Sequence, residues 1–126
     1  ALGPAPESTR RIFVCREQTD ACAGTIIRTF ARRAFRRPVA VAEAAPFVKL
    51  YKLARQNGDS FSEGVATALQ GVLVSPHFLF RVEQDRPALA GKSYAPVNDY
   101  ELATRLSYFL WSSTPDTALL RLAGQG

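Results

Sequence analysis

The stretch ACAGTIIRTFARRAFR, residues 21–36, decides the fold of this chain, because winding it into an α-helix separates its apolar residues from its basic residues. At about 100° per residue, one half of that helix is apolar and carries Ile26, Ile27, Phe30, Ala31, Ala34 and Phe35. The other half, continued by the next residue, is basic and carries Arg28, Arg32, Arg33, Arg36 and Arg37. Thr19 or Asp20 offers an N-cap and Pro38 ends the element, so the sequence predicts an amphipathic helix with a basic outer face.

Three further helices are expected before residue 84. The spacing of apolar residues predicts a helix at Val41–Gln56. Ser60 and Glu63 have the spacing of a capping box and predict the start of another helix. Ser75, followed by a proline, then caps a short apolar helix that we expect over residues 76–82.

The C-terminal part of the chain predicts two more helices. Asn98 and Glu101 form a capping box for a helix at Asp99–Trp111. The buried face expected for this helix consists of Leu102, Leu106, Phe109 and Leu110. A last helix is expected to start at the Thr-Pro-Asp sequence that ends with Asp116, and to stop near Ala123.

These two C-terminal helices carry more large apolar side chains than they can cover by themselves. Extended apolar patches are uncommon on the surface of a monomer. We therefore expect the helices to pack on residues 78–80 or to mediate self-association through residues 99–123. In a longer parent protein, the rest of the second domain would cover them.

The sequence predicts an all-α protein of about five short to medium helices. No stretch of strand length alternates apolar and polar residues, although the apolar run at residues 11–15 could form a short extended segment. We divide the chain into an N-terminal tether with a short apolar segment (1–19), a small helical domain (20–83), a linker (84–97) and the N-terminal part of a second helical domain (98–126). A gene product starts with Met, so we expect a processed chain or a piece of a longer one.

Composition narrows the possible partners and sites. The chain has 126 residues, with 16 Lys and Arg against 11 Asp and Glu. This excess favours an anionic partner, although a soluble basic surface gives the same composition. No apolar run is long enough to predict a membrane span. Cys15, Cys22 and the single histidine cannot complete a tetrahedral zinc site, so we favour a local disulfide, with two free buried thiols as the alternative.

Three stretches, taken together, resemble a known family: RRPV at residues 36–39, GVLVSPHFLFRVE at 71–83 and DYELATRLSYFLWSSTPD at 99–116. They resemble the adjoining helical domains of unknown function in large exported proteins of the planctomycete type, which often also carry a planctomycete-type cytochrome c domain. The family usually has a Thr or Asp cap after RRPV. Ala40 stands there in this chain, so a weaker start is expected for the helix at Val41–Gln56.

The resemblance implies export to the periplasm or the extracellular space and a place in a multidomain, cytochrome-associated assembly. A haem could lie elsewhere in the parent protein. Covalent haem attachment needs Cys-x-x-Cys-His, and this sequence contains no such motif. We therefore expect no cofactor and no metal in this chain.

Two sets of residues are candidates for chemistry. His77 could serve as an axial ligand or a proton shuttle, or it could simply pack or cap locally. Four carboxylates are close enough in sequence to suggest acid–base work: Glu83, Asp85, Asp99 and Glu101. Helix capping already accounts for the last two, and no motif for phosphate binding or nucleophilic catalysis is present.

Two further sets are candidates for binding. An aromatic platform for sugars or bases could be formed by Tyr100, Tyr108, Phe109 and Trp111, or these rings could be buried against the rest of the second domain. The arginines of the basic face could bind an anionic surface. No stacking aromatic residue lies between them, which disfavours nucleic acid.

The sequence thus predicts a non-catalytic structural segment that packs against neighbouring domains of a larger exported bacterial protein. One alternative is part of a haem-linked oxidoreductase whose site is completed by other domains. A second alternative is a basic module that binds an anionic polymer.

Overall fold

The computed structural model describes residues 6–80 and 95–126. They form seven α-helices and no β-strand, which confirms the predicted all-α fold. The helices are α1 (Glu7–Ile12), α2 (Asp20–Phe35), α3 (Val41–Gln56), α4 (Phe61–Leu73), α5 (Pro76–Leu79), α6 (Asp99–Trp111) and α7 (Thr117–Ala123). None of the described helices combines the length and the apolarity needed to span a bilayer.

The chain divides into two compact units, Ala1–Leu79 and Phe80–Gly126. Helices α1 to α5 lie in the first unit, and α6 and α7 lie in the second. The end predicted for the first domain, residue 83, lies outside the described residues, as does most of the predicted linker.

The core of the first unit is formed where α2, α3 and α4 pack on one another. Its fully buried centre contains Ile26 and Ile27 of α2, Tyr51 of α3 and Val65 of α4. A second apolar cluster surrounds Phe35. The apolar half predicted for α2 therefore faces the core.

Side-chain caps explain why several helices begin where the sequence predicts. Ser60 and Glu63 form the expected box at α4, with the Ser60 N–H donating to Glu63 Oε2 at 2.8 Å. Asn98 and Glu101 do the same at α6, also at 2.8 Å. Helix α3 has half of such a box, because Glu43 accepts from the N–H of its N-cap residue but alanine has no side chain that can return the bond.

The N-terminal region differs from the prediction. Residues expected to form a tether and an extended segment instead fold into α1, which ends at Ile12 with Phe13 as its C-cap. Glu7 pairs with Arg11 one turn later along this helix. Ile12 and Phe13 pack on the core of the first unit, and this tertiary packing stabilises a helix too short to persist alone.

The predicted buried face of α6 is also wrong. Helix α7 packs against α6, and the buried residues of α6 are the small ones, Ala103 and Ser107. Small side chains let two helices approach closely, and Leu120 is the buried residue of α7. The residues expected to be buried are exposed instead: Leu102, Leu106, Phe109 and Leu110.

Candidate functional sites

A disulfide joins Cys15 and Cys22, as expected from the sequence, with 6.1 Å between the two Cα atoms. Cys22 is buried in the first turn of α2, where its N–H donates to the Thr19 cap at 3.2 Å. The disulfide thus fastens the segment after α1 to the start of α2. A cleft of about 480 Å³ lies beside it, with Phe13 and Phe61 among its lining residues.

The basic face of α2 is smaller than the sequence predicts. Arg28, Arg32 and Arg33 are exposed, and Arg33 donates to the Arg11 carbonyl at 3.2 Å. Arg36 is only 5% exposed, and its Nη2 donates to the His77 carbonyl at 3.2 Å. It does not continue the exposed face, because it follows the last residue of α2 and has a left-handed backbone (φ 60°), which turns its side chain away from the helical series.

Arg37, the last arginine of the predicted set, is engaged with a carboxylate. Its Nη2 donates to Glu43 Oε1 at 2.8 Å, and its guanidinium lies 5.9 Å from the centre of the Phe35 ring. The hydrogen bond from Arg37, followed by that from the Ala40 N–H, lowers the pKa of Glu43 from its ordinary value. Of the predicted set, Arg28, Arg32 and Arg33 are exposed, and Arg33 among them is engaged with a backbone carbonyl.

His77 lies in the first turn of α5 and is exposed. Its N–H donates to Ser75 Oγ at 3.3 Å, and its ring lies 5.2 Å from that of Phe35. The described part of the chain contains no group of three His, Cys, Asp or Glu side chains that could hold a metal ion. The contacts seen for His77 are those of a residue that joins α5 to the end of α2.

The candidate carboxylates are not assembled into a site within the described residues. Glu101 accepts from the Asn98 N–H, so it acts as a cap. Asp99 is exposed in the first turn of α6. Glu83 and Asp85 lie outside the described residues.

The aromatic residues of α6 do not form one platform. Phe109 and Trp111 are 84% and 67% exposed, but they lie on different sides of the helix, because two residues correspond to about 200° of rotation. Tyr100 and Tyr108 are partly buried. Trp111 instead lines a cleft of about 340 Å³ at the turn between α6 and α7.

One buried polar contact was not predicted from the sequence. Tyr51 is 1% exposed, and its hydroxyl donates to Asp20 Oδ1 at 3.1 Å. Burial, followed by the hydrogen bond to Asp20, raises the pKa of Tyr51 above its ordinary value. The signal was present in the sequence as an acid in the first turn of α2 and a tyrosine on the apolar stripe of α3, but their pairing depends on how the two helices pack.

Comparison with known proteins assigns no activity to these sites. Residues 22–83 match the family model PSD5, described as a protein of unknown function (DUF1595). Residues 97–126 match the family model PSD4, described as a protein of unknown function (DUF1592). Two successive stretches of the chain are therefore similar to domains of unknown function. No curated protein and no solved structure matches it.

Proposed function

We propose that this chain is a non-catalytic structural segment of a larger exported protein, and that it packs against neighbouring domains and orients them. Support comes from the two domain matches, which follow one another along the chain with little between them. The disulfide supports export, because such bonds form and persist mainly in oxidising compartments.

One observation carries the proposal: an apolar strip on the second unit, formed by Leu102, Leu106 and Phe109 of α6 with Leu122 of α7. Leu102, Leu106 and Leu122 line one shallow groove between the two helices, and Phe109 continues the same side of α6. Burying a large apolar side chain completely contributes about 1.5–3 kcal/mol. A partner that covers the strip therefore gains several kcal/mol before the cost of ordering is subtracted.

We propose a neighbouring helical domain of the same polypeptide as the occupant. The groove consists of aliphatic residues along its length, with Asp99 at its edge, which suits the apolar side of another helix better than a charged ligand. A covalently linked neighbour is present at a high effective concentration, so a strip of this modest size is enough to position it.

The test compares this chain with the longer natural polypeptide, each with and without the double substitution Leu106→Ser and Phe109→Ser. We expect the substitution to lower the unfolding free energy of the longer polypeptide by about 2–4 kcal/mol. In this chain the effect should be smaller, about 1 kcal/mol, because Phe109 is almost fully exposed and Leu106 is only half-buried.

Leu53→Ser provides the matched control, since Leu53 is a similarly exposed leucine on α3 of the first unit. It should change neither protein by more than about 0.5 kcal/mol. An equal unfolding free energy of the longer polypeptide with and without the double substitution would contradict the proposal. Dimerisation of this chain that the double substitution abolishes would instead identify a second copy as the occupant.

A second candidate function, binding of an anionic polymer, is favoured by Arg28 and Arg32. They lie one turn apart on α2, and their guanidinium groups find no carboxylate or carbonyl partner in the described part of the chain. Binding of polyphosphate should weaken as the salt concentration rises. The double substitution Arg28→Ala and Arg32→Ala should make the fall of log K with log salt concentration less steep, by about 1–2 units of slope. Lys49→Ala with Lys52→Ala on α3 is the control. A slope unchanged by the arginine substitutions would exclude this function.

A further inference from the structure

The turn between α6 and α7 encloses a cleft whose lining combines one large aromatic ring with several hydroxyl groups and one carboxylate. Its volume is about 340 Å³, which lies at the small end of the range of ligand pockets. The lining residues, all within the second unit, are Ser107, Trp111, Ser113, Thr114, Asp116 and Leu119.

Trp111 supplies the aromatic wall of this cleft. At about 100° per residue, it lies roughly opposite Leu102 on α6, so it is not part of the apolar strip. Its side chain remains 67% exposed although it is the largest apolar group of the second unit. An exposed ring at the wall of a concave site is available for stacking on a flat, weakly polar ligand face.

Ser107 is the second observation that points to a ligand. It is only 2% exposed, yet it lines the cleft. Thr104, one turn earlier, satisfies its hydroxyl by donating to the Tyr100 carbonyl at 2.8 Å. The Ser107 hydroxyl makes no hydrogen bond of this kind in the described part of the chain, and it is not sealed from the cleft. A hydroxyl at the wall of the cleft can exchange bound water for a hydrogen bond to a ligand.

Asp116 supplies the charged group. Its Oδ1 accepts from the Leu119 N–H at 2.8 Å and so caps α7, which fixes the carboxylate at the edge of the cleft. No basic side chain is among the lining residues. An anionic ligand is therefore disfavoured, whereas a ligand with several hydroxyl groups can donate to the carboxylate and exchange hydrogen bonds with the serines and the threonine.

We propose that this cleft binds one neutral pyranose unit, either as a free sugar or within a glycan chain. The C–H face of the ring stacks on Trp111, and the sugar hydroxyls pair with Asp116 and Ser107. The inference goes beyond the structural function proposed above. The cleft centres on Trp111, roughly opposite Leu102 on α6, and it shares Leu119 with the groove of the apolar strip. A single sugar in so open a site binds weakly, with a Kd of the order of millimolar.

The experiment uses the fluorescence of Trp111, the single tryptophan of the chain, as a reporter confined to the cleft. The full chain is titrated with glucose, galactose, mannose and N-acetylglucosamine, and with the β-1,4-linked hexasaccharides of glucose and N-acetylglucosamine. A saturable change with at least one monosaccharide supports the proposal. Saturation by a hexasaccharide alone also supports it and identifies a glycan chain as the ligand.

Conservative variants connect the signal to the proposed contacts. Ser107→Ala and Asp116→Asn should each weaken binding roughly two- to tenfold. Asparagine retains the cap of α7, so the second variant removes the charge without removing the helix start. Leu53→Ala, at an exposed leucine of the first unit, is the control and should leave the Kd unchanged.

Two outcomes would overturn the proposal. The first is the absence of a saturable change with every sugar up to about 50 mM, well above the expected Kd. The second is saturation by tetramethylammonium when no sugar saturates the signal, which would identify a cation site built from the same ring and carboxylate.

Discussion

Single residues with unusual surroundings organise the first unit. Tyr51 is the largest of its fully buried side chains, and its hydroxyl is paired with Asp20 at the start of another helix. Arg36 ends α2 with a left-handed backbone, and its buried guanidinium reaches the carbonyl of His77 in α5. The two contacts join residues that are 31 and 41 positions apart in sequence, so they report on tertiary packing and not on local helix formation.

Tyr51→Phe should destabilise the protein by about 0.5–1.5 kcal/mol, because the hydrogen bond to Asp20 is lost while the exposed Asp20 carboxylate remains solvated by water. The pKa of Tyr51 is raised by burial and then by Asp20, so the folded state retains the phenolic proton at a pH where the unfolded chain loses it. The contribution of protonated Tyr51 to the unfolding free energy is therefore complete below pH 10.0, the ordinary pKa of tyrosine, and it decreases as the pH rises above that value. Urea unfolding of wild type and Tyr51→Phe from pH 7 to pH 11 measures the difference in unfolding free energy between them.

The wild type and Tyr51→Phe should therefore converge in stability above about pH 10. Tyr108→Phe, a change to a tyrosine of the second unit, serves as the control for general alkaline effects. A constant difference between wild type and Tyr51→Phe across this pH range would contradict the account.

Glu43→Gln should cost less than about 1 kcal/mol at neutral pH, since the Arg37–Glu43 pair is partly exposed and screened by solvent. The pKa of Glu43 is lowered by Arg37, so the contribution is present above the ordinary value of 4.5 and is lost as the pH falls below it. Urea unfolding should show a small difference in unfolding free energy between wild type and Glu43→Gln at pH 7, and no difference at pH 3. A larger difference at pH 3 than at pH 7 would contradict the claim that ionised Glu43 stabilises the folded state.

At the scale of elements, the sequence predicts most accurately the helices that carry their own start signals. Ser60 with Glu63, and Asn98 with Glu101, mark the starts of α4 and α6 because capping is a local interaction. The structural element α1 has no side-chain cap, and it depends on packing of Ile12 and Phe13 that no local pattern reveals.

The burial of α6 shows a different limit of sequence analysis. The large apolar residues of α6 do recur at helical spacing. The buried residues of α6, however, are two small ones, Ala103 and Ser107. Hydrophobicity alone cannot distinguish a face that packs within the unit from one left for a partner. The cleft at Trp111 was missed for the same reason, because Ser107 and Asp116 meet it only once α7 folds back on α6.

The disulfide is the element-scale feature with the clearest consequence. Replacing both Cys15 and Cys22 by serine should lower the unfolding free energy by about 2.5 kcal/mol, through the entropy of the released loop. Helix α1 should lose hydrogen-exchange protection first, because the disulfide fastens the segment that follows it. Chemical denaturation of the variant and of the reduced wild type should give similar values. A stability unchanged by the double substitution would show that packing alone holds this segment.

At the scale of the whole molecule, the chain contains two compact units that differ in how completely they bury their apolar residues. The first has a three-helix core with fully buried residues on α2, α3 and α4. The second consists of two described helices and leaves its apolar strip exposed. This contrast is the basis for the proposal that the second unit docks against a neighbouring domain.

Hydrogen exchange of residues 102–110, measured in this chain and in the longer natural polypeptide, tests that claim most directly. Covering the apolar strip should slow exchange across α6 by at least about tenfold in the longer polypeptide, while α4 of the first unit should exchange at the same rate in both. Equal exchange of α6 in the two proteins would show that no neighbouring domain covers the strip, and it would contradict the proposed function.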